Sequence, residues 1–282
     1  MTGPDIPVWA IPAAKTAGTL AWRNRAKIVE IWSNIAGILR GKNSSIAFTG
    51  SFGTGKTVLL DHLTGEAFKP TYTLPEESLE REIAKVGEPF EVSRRIKVTV
   101  LPGQEYRKLS AVRDIFYGEK PVDGLVHVVA NGFVTLRNPT ARTSFINRGL
   151  EDIESYRNYW LEQEIKDFQE TAKAVRHSVK ENRKPSWMLV VPSKVDLYAD
   201  QITQARDYYS PQGQGSFVEA VDDLVSHVGM DNFTWDATPV CSWLEAFEWN
   251  GQQVPSTLDP PQRNEMLLKF VQRLEYYCGG TA

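Results

Sequence analysis

The sequence predicts an α/β fold with a mainly parallel sheet flanked by helices, and three observations carry that prediction. Two continuous apolar runs, Gly124 to Ala130 and Trp187 to Val191, have the unalternating pattern of central parallel strands covered on both faces. Strand and helix patterns alternate along most of the chain, as βα units require. A glycine-rich loop, Gly50 to Thr57, stands between a short apolar strand and a helix.

Taken in order, Pro4, Pro7 and Pro12 make the first dozen residues an extended arm. From Thr19 to Arg40, Trp22, Ile28, Ile31, Trp32, Ile35, Ile38 and Leu39 recur at helical spacing, and Gly41 and Asn43 end the helix. Six basic residues against one acidic between Lys15 and Lys42 give this stretch a charge of +5. A membrane-surface or partner-binding helix is the weaker reading; a helix packed on the main domain with a solvated basic face is favoured. Ser45 to Thr49 is a short strand, and a helix runs from Lys56 to about Leu63. A polar loop from Thr64 to Glu77 leads to a strand from Glu91 to Leu101, preceded by a partner within Ile83 to Phe90 and followed by a helix from Gln104 to about Tyr117.

Asn131 to Gly149 reads as a long insertion with Arg137, Arg142 and Arg148 and no acidic residue. It offers a partner surface, an arginine for the reaction centre, or simply a solvated loop, the last being favoured. A long helix follows from Ile153 to Val179, stopped by Pro185. Ser216 with Glu219 forms a capping box for a helix running to Val228, with Gly229 beyond. Val240 and Cys241 mark a last strand, and Asp259-Pro260 opens a final helix ended by Gly279-Gly280. The predicted layout is an N-terminal arm and helix over 1–43, then one domain over 44–282 that carries an enlarged loop and long helix at 131–185.

Bulk composition narrows the class. The chain has 282 residues, 41% apolar and 24% charged, enough to bury a core. A net charge of -3 gives no reason to expect nucleic acid as the main partner. Two cysteines make neither a disulfide framework nor a metal cluster, and the four histidines show no metal spacing. Without a secretory signal or a bilayer-spanning run, the expected location is the cytoplasm.

Gly50, Ser51, Phe52, Gly53, Thr54, Gly55, Lys56 and Thr57 satisfy the phosphate-loop pattern G-x-x-x-x-G-K-S/T in full. Its glycines let the backbone turn its N–H groups inward onto phosphate oxygens, and the following helix adds its positive end. Lys56 reaches the β- and γ-phosphates in this arrangement, and the Thr57 hydroxyl is an Mg²⁺ ligand. The fold predicted is therefore a P-loop nucleotide-binding fold. Ser193-Lys194-Val195-Asp196, directly after the strand Trp187 to Val191, addresses the base. A carboxylate there accepts from both N1 and N2 of guanine, whereas adenine lacks that donor pair. The alkyl stem of Lys194 can lie along the ring.

These residues resemble the Ras-like and Arf-like small GTPases of the P-loop GTPase superfamily, whose base motif is Asn/Thr-Lys-x-Asp. The resemblance covers roughly Ser45 to Ser242 plus the terminal helix, and it implies a guanine-nucleotide switch with slow, Mg²⁺-dependent GTP hydrolysis. It implies further that Thr71, with Thr73 as a rival, is the switch threonine that binds Mg²⁺. Gly103 would contact the γ-phosphate, Gln104 would act catalytically with Lys56 by orienting water, and Ser242 would make the last base contact. GTP or GDP with Mg²⁺ is the implied ligand set, and a protein effector or regulator the implied partner. Two departures stand out: Ser193 takes the place of Asn, and Val100 that of the aspartate in D-x-x-G. Two rival readings are a nucleotide-binding scaffold without meaningful hydrolysis and an ATP-using P-loop protein.

Overall fold

The computed structural model describes residues 8–13, 19–41, 45–74, 82–84, 98–100, 122–180 and 185–279. Its strands are β1 (Ser45–Thr49), β2 (Glu82–Ala84), β3 (Val98–Val100), β4 (Val122–Val129), β5 (Trp187–Pro192), β6 (Thr234–Ala237), β7 (Phe247–Trp249) and β8 (Gln252–Val254). The helices are α1 (Thr19–Gly41), α2 (Lys56–Leu63), α3 (Pro139–Asn147), α4 (Ile153–Lys180), α5 (Ile202–Tyr209), α6 (Ser216–Val228) and α7 (Pro260–Cys278).

Six strands form one sheet in the order β2-β3-β1-β4-β5-β6. Every neighbouring pair from β3 to β6 is parallel, and β2 pairs antiparallel with β3 at the edge. The chain leaves β1 for one side of the sheet, completes β2 and β3, then returns to the other side as β4. The carboxyl end of β1 is thus a topological switch point, where the flanking connections diverge and leave a crevice for a ligand. The phosphate loop begins there.

Strand periodicity divides the core in two. Ala47, Leu125, Val129, Met188 and Val190 face α4, α5 and α6, whereas Ile46, Phe48, Val126, Val128, Leu189 and Val191 face α1, α2 and α7. Because both faces are covered, the central strands are continuously apolar, as their sequence foretold. On the second face α1 packs chiefly against α7, burying Ile28, Ile31, Trp32, Ile35 and Ala36. Ile28, Ile31, Trp32 and Ile35 of the α1 stripe belong to this core. Residues 8–13 also lie on the body: Gln262 Nε2 donates to Pro12 O and Lys269 Nζ to Ala10 O. No helix among the described residues is long and apolar enough to cross a membrane.

Several local expectations need correction. Asn131 to Gly149 is not one long loop: Asn138 caps α3 through its side chain, and Pro139 supplies the first helical residue. The capping box of α6 is absent, because the helix already includes Ser216; Gly215 is the cap and no side chain bonds there. The last strand of the sheet is β6 rather than Val240-Cys241. Thr238 and Val240 still donate to Val190 and Pro192 at 2.9 and 2.8 Å, so the chain follows β5 beyond the strand proper. The terminal helix is as expected, with a capping box between Asp259 and Gln262 and left-handed Gly279 at its end. The helix expected over Gln104 to Tyr117, together with Gly103 and Gln104, lies outside the described residues.

Candidate nucleotide-binding site

The phosphate loop joins β1 to α2 with Gly50, Gly53 and Gly55 all at positive φ. At Gly53 this freedom is compulsory twice over: φ is +66°, and a Cβ would sit 2.4 Å from the carbonyl oxygen of Thr135. Lys56 is buried, and its ammonium donates to Gly50 O at 2.8 Å and Ser51 O at 2.5 Å. The charge is therefore held inside the loop, on carbonyls that an anionic ligand would compete with. Thr54 closes the turn by donating from Oγ1 to Ser51 O at 2.8 Å.

Thr57 is the residue that could hold a metal. Its hydroxyl is a hard oxygen donor of the kind Mg²⁺ takes. Among the described residues no group of three or more His, Cys, Asp or Glu could hold a metal unaided. A divalent ion here would complete its shell with phosphate oxygens and water, the arrangement Mg²⁺ favours.

The base-side residues converge on this loop from β5. Ser193 is buried, and its hydroxyl lies 2.7 Å from Thr54 O and 2.8 Å from Val129 O, bracing the phosphate loop against β4. Lys194 has left-handed backbone and donates from Nζ to Phe133 O and Thr135 Oγ1, each at 2.5 Å. Asp196 is buried on the short turn Val195–Leu197. Thr257 secures that turn by donating to the Asp196 carbonyl from both N and Oγ1, at 3.0 and 2.8 Å.

The two oxygens of the Asp196 carboxylate are held unequally. Its Oδ1 accepts from Cys241 Sγ at 3.3 Å, while Oδ2 is buried without a hydrogen bond of normal geometry. Burial pushes its pKa up, with Ser256 and Cys241 opposing. A buried acceptor lacking a donor costs free energy that a ligand can recover. Ser242 completes the cluster: it is buried, and its Oγ would lie 3.5 Å from a Cβ on Gly55. Its carbonyl accepts from Nε2 of buried His62 at 2.5 Å, which ties α2 to the 241–243 segment.

The structure thus brings together the phosphate loop, Ser193, Lys194, Asp196 and Ser242. It does not draw in Thr71, which is exposed, as is Thr73. Tyr72 between them donates to Asp61 Oδ2 at 2.7 Å and sets its ring 5.9 Å from that of Trp243. Val100 belongs to β3, its backbone in register with Phe48 just before the loop. Sequence reasoning missed His62, Cys241 and the segment Ala130 to Thr135, which flanks the loop on its β4 side. Thr135 N donates to Gly53 O at 3.2 Å. The one available signal was Asn131-Gly132, a turn dipeptide directly after an apolar strand.

No family model matches the chain, and no curated protein does. Solved structures do. One is the Arf-like GTP-binding protein Sar1, a small COPII coat GTPase, from Encephalitozoon cuniculi in complex with GDP. The match has 16% identity over 91% of this chain and 90% of that one, with a TM-score of 0.39. Another is Toc33 from Arabidopsis thaliana with Mg²⁺ and GMPPNP, at 10% identity over 91% and 92% of the two chains, TM-score 0.41. A third is the signal recognition particle receptor SRb-GTP/SRX complex from Chaetomium thermophilum, at 12% identity over 71% and 94%, TM-score 0.40. At TM-scores of 0.39 to 0.41 these likenesses carry no argument, and function rests on the chain's own residues.

Proposed function

We propose that the chain is a guanine-nucleotide-binding switch that hydrolyses GTP slowly with Mg²⁺. The observation that carries this reading is Asp196: a buried carboxylate whose Oδ2 makes no hydrogen bond of normal geometry, on a turn stitched through Ser193 to the phosphate loop. Guanine offers that oxygen a donor at N1 or N2, and an adenine nucleotide offers none at those positions. Loop N–H groups and the α2 N-terminus would hold the phosphates, and Lys56 would leave the loop carbonyls for the β- and γ-oxygens. Thr57 would ligate Mg²⁺, which supplies charge neutralisation across the phosphates when bound.

Thr71 would join the site only by moving inward from its exposed position, which gives the segment around Tyr72 a switch-like role. Gln104, by family resemblance, would orient the attacking water, with Gly103 beside the γ-phosphate. Val100 leaves the metal's hydration shell without its usual carboxylate, which fits weak turnover. Calorimetric titration with GTP, GDP and ATP in Mg²⁺ tests the binding, and single-turnover hydrolysis tests the chemistry. Gln104→Ala should slow hydrolysis at least tenfold and leave GDP affinity within about twofold. Equal affinity for ATP would remove the guanine assignment, and unchanged hydrolysis in Gln104→Ala would remove the catalytic one.

A further inference from the structure

Segment 130–134 is gripped by one helix along almost its whole backbone. Glu164 of α4, buried, accepts from Ala130 N at 2.9 Å and Gly132 N at 3.1 Å through the same oxygen. Its other oxygen accepts from Tyr209 OH at 2.6 Å. Arg157, two turns earlier on α4, donates from Nε to Asn131 O at 3.0 Å and covers the Phe133 ring at 4.8 Å. Tyr156 donates to Val134 O at 2.6 Å. Gly132 allows this contact, since a Cβ there would come within 2.6 Å of the Arg157 carbonyl.

The opposite side of the same segment faces the site. Phe133 O and Thr135 Oγ1 receive Lys194 Nζ, and Thr135 N reaches Gly53 O in the phosphate loop. We infer that segment 130–135 is a rigid bracket for the nucleotide site and that Glu164 is its positioning residue, fixing Gly53 and Lys194 through the backbone without touching the ligand. The inference rests on the guanine-nucleotide reading above. Two buried N–H groups would be orphaned by removing the carboxylate, so the bracket would relax just where it meets the loop.

The test uses the full chain with fluorescent mant-GDP in Mg²⁺, reading affinity and dissociation rate well below the unfolding temperature. Glu164→Leu should bind at least tenfold more weakly and release nucleotide faster. Glu164→Gln keeps an acceptor for Ala130 and Gly132, and should bind within about twofold of wild type. Leu274→Ala in the opposite core gives a variant of lowered melting temperature with the site intact, and should keep wild-type affinity. If Glu164→Leu does not fold, Tyr156→Phe decides, with an expected loss of twofold to fivefold. Wild-type affinity in Glu164→Leu, or in Tyr156→Phe should the leucine variant not fold, or an equal loss in Leu274→Ala, would overturn the bracket alone. A wild type that binds no guanine nucleotide would overturn the bracket together with the reading beneath it.

Discussion

Ser193 has one hydroxyl proton to offer two carbonyls, those of Thr54 and Val129, so it braces the loop with one bond at a time. That suffices to hold the loop against β4, and it accounts for a serine at this motif position. His62 shows the cost of such bracing. Burial drives its pKa from 6.5 down to about 3, with Arg263 and Arg25 adding to the fall and the Ser242 carbonyl opposing it. The folded state therefore requires the neutral imidazole. Its contribution is complete above pH 6.5 and shrinks as the pH falls towards 3, because the unfolded chain then binds the extra proton. Each pH unit in that window is worth about 1.4 kcal/mol, so acidification to pH 5 should cost about 2 kcal/mol. Buried Glu164 and Asp196, whose pKa values are raised, act with the opposite sign and lose their contribution as the pH rises. Replacing His62 by Gln retains a donor for Ser242 and removes the titration. Urea midpoints at pH 7 and pH 5 should therefore fall less in His62→Gln than in wild type; parallel falls would show that His62 is not the acid-labile group. Asp196 could be found in the sequence because it follows a strand at motif spacing. His62 could not, since its partner lies 180 residues away.

At the scale of elements, helices with a clean apolar period were the most legible. The stripe on α1 forecast both the helix and its burial: Ile28 and Ile35 are fully buried in the core that α1 shares with α7. Ile35→Ala should accordingly cost about 3 kcal/mol, within the usual range for such truncations. A change under about 1 kcal/mol in chemical denaturation would mean that α1 is an appendage rather than part of the core. Elements specified by a cap or a turn were harder to read. The hairpin β7-β8 turns on Asn250-Gly251, both at positive φ, a strong local signal whose short strands lack enough periodicity to stand out. In α3, the capping residue Asn138 was hidden in an arginine-bearing stretch without a clear apolar face. The α6 box failed because its Ser-x-x-Glu spacing is one residue too late for the cap.

For the molecule as a whole, strand order decides where chemistry can occur. Nothing in a linear sequence announces that β1 lies between β3 and β4, yet that order puts the phosphate loop at the switch point. Segments distant in sequence then meet around it: 50–57 from β1, 130–135 from β4, 193–196 from β5 and 241–242 beyond β6. Motif spacing revealed the first and third of these. The family resemblance pointed to Ser242 in the fourth, whereas the second acts mainly through backbone groups, which carry no residue signature, and so emerged only with the fold.

If Asp196 reads guanine, changing the base itself exposes the contact. Xanthine keeps the N1 donor of guanine but carries a carbonyl at C2, which suits an amide and repels a carboxylate. Competition against a fluorescent guanine nucleotide by GTP, XTP and ATP, on wild type and Asp196→Asn, measures this directly, with a fluorescent xanthine nucleotide for the variant. Wild type should prefer GTP over XTP and ATP by at least a hundredfold, and Asp196→Asn should invert the order of GTP and XTP. Indifference of both proteins to the base would contradict the account, leaving a phosphate loop that holds nucleotides without reading them.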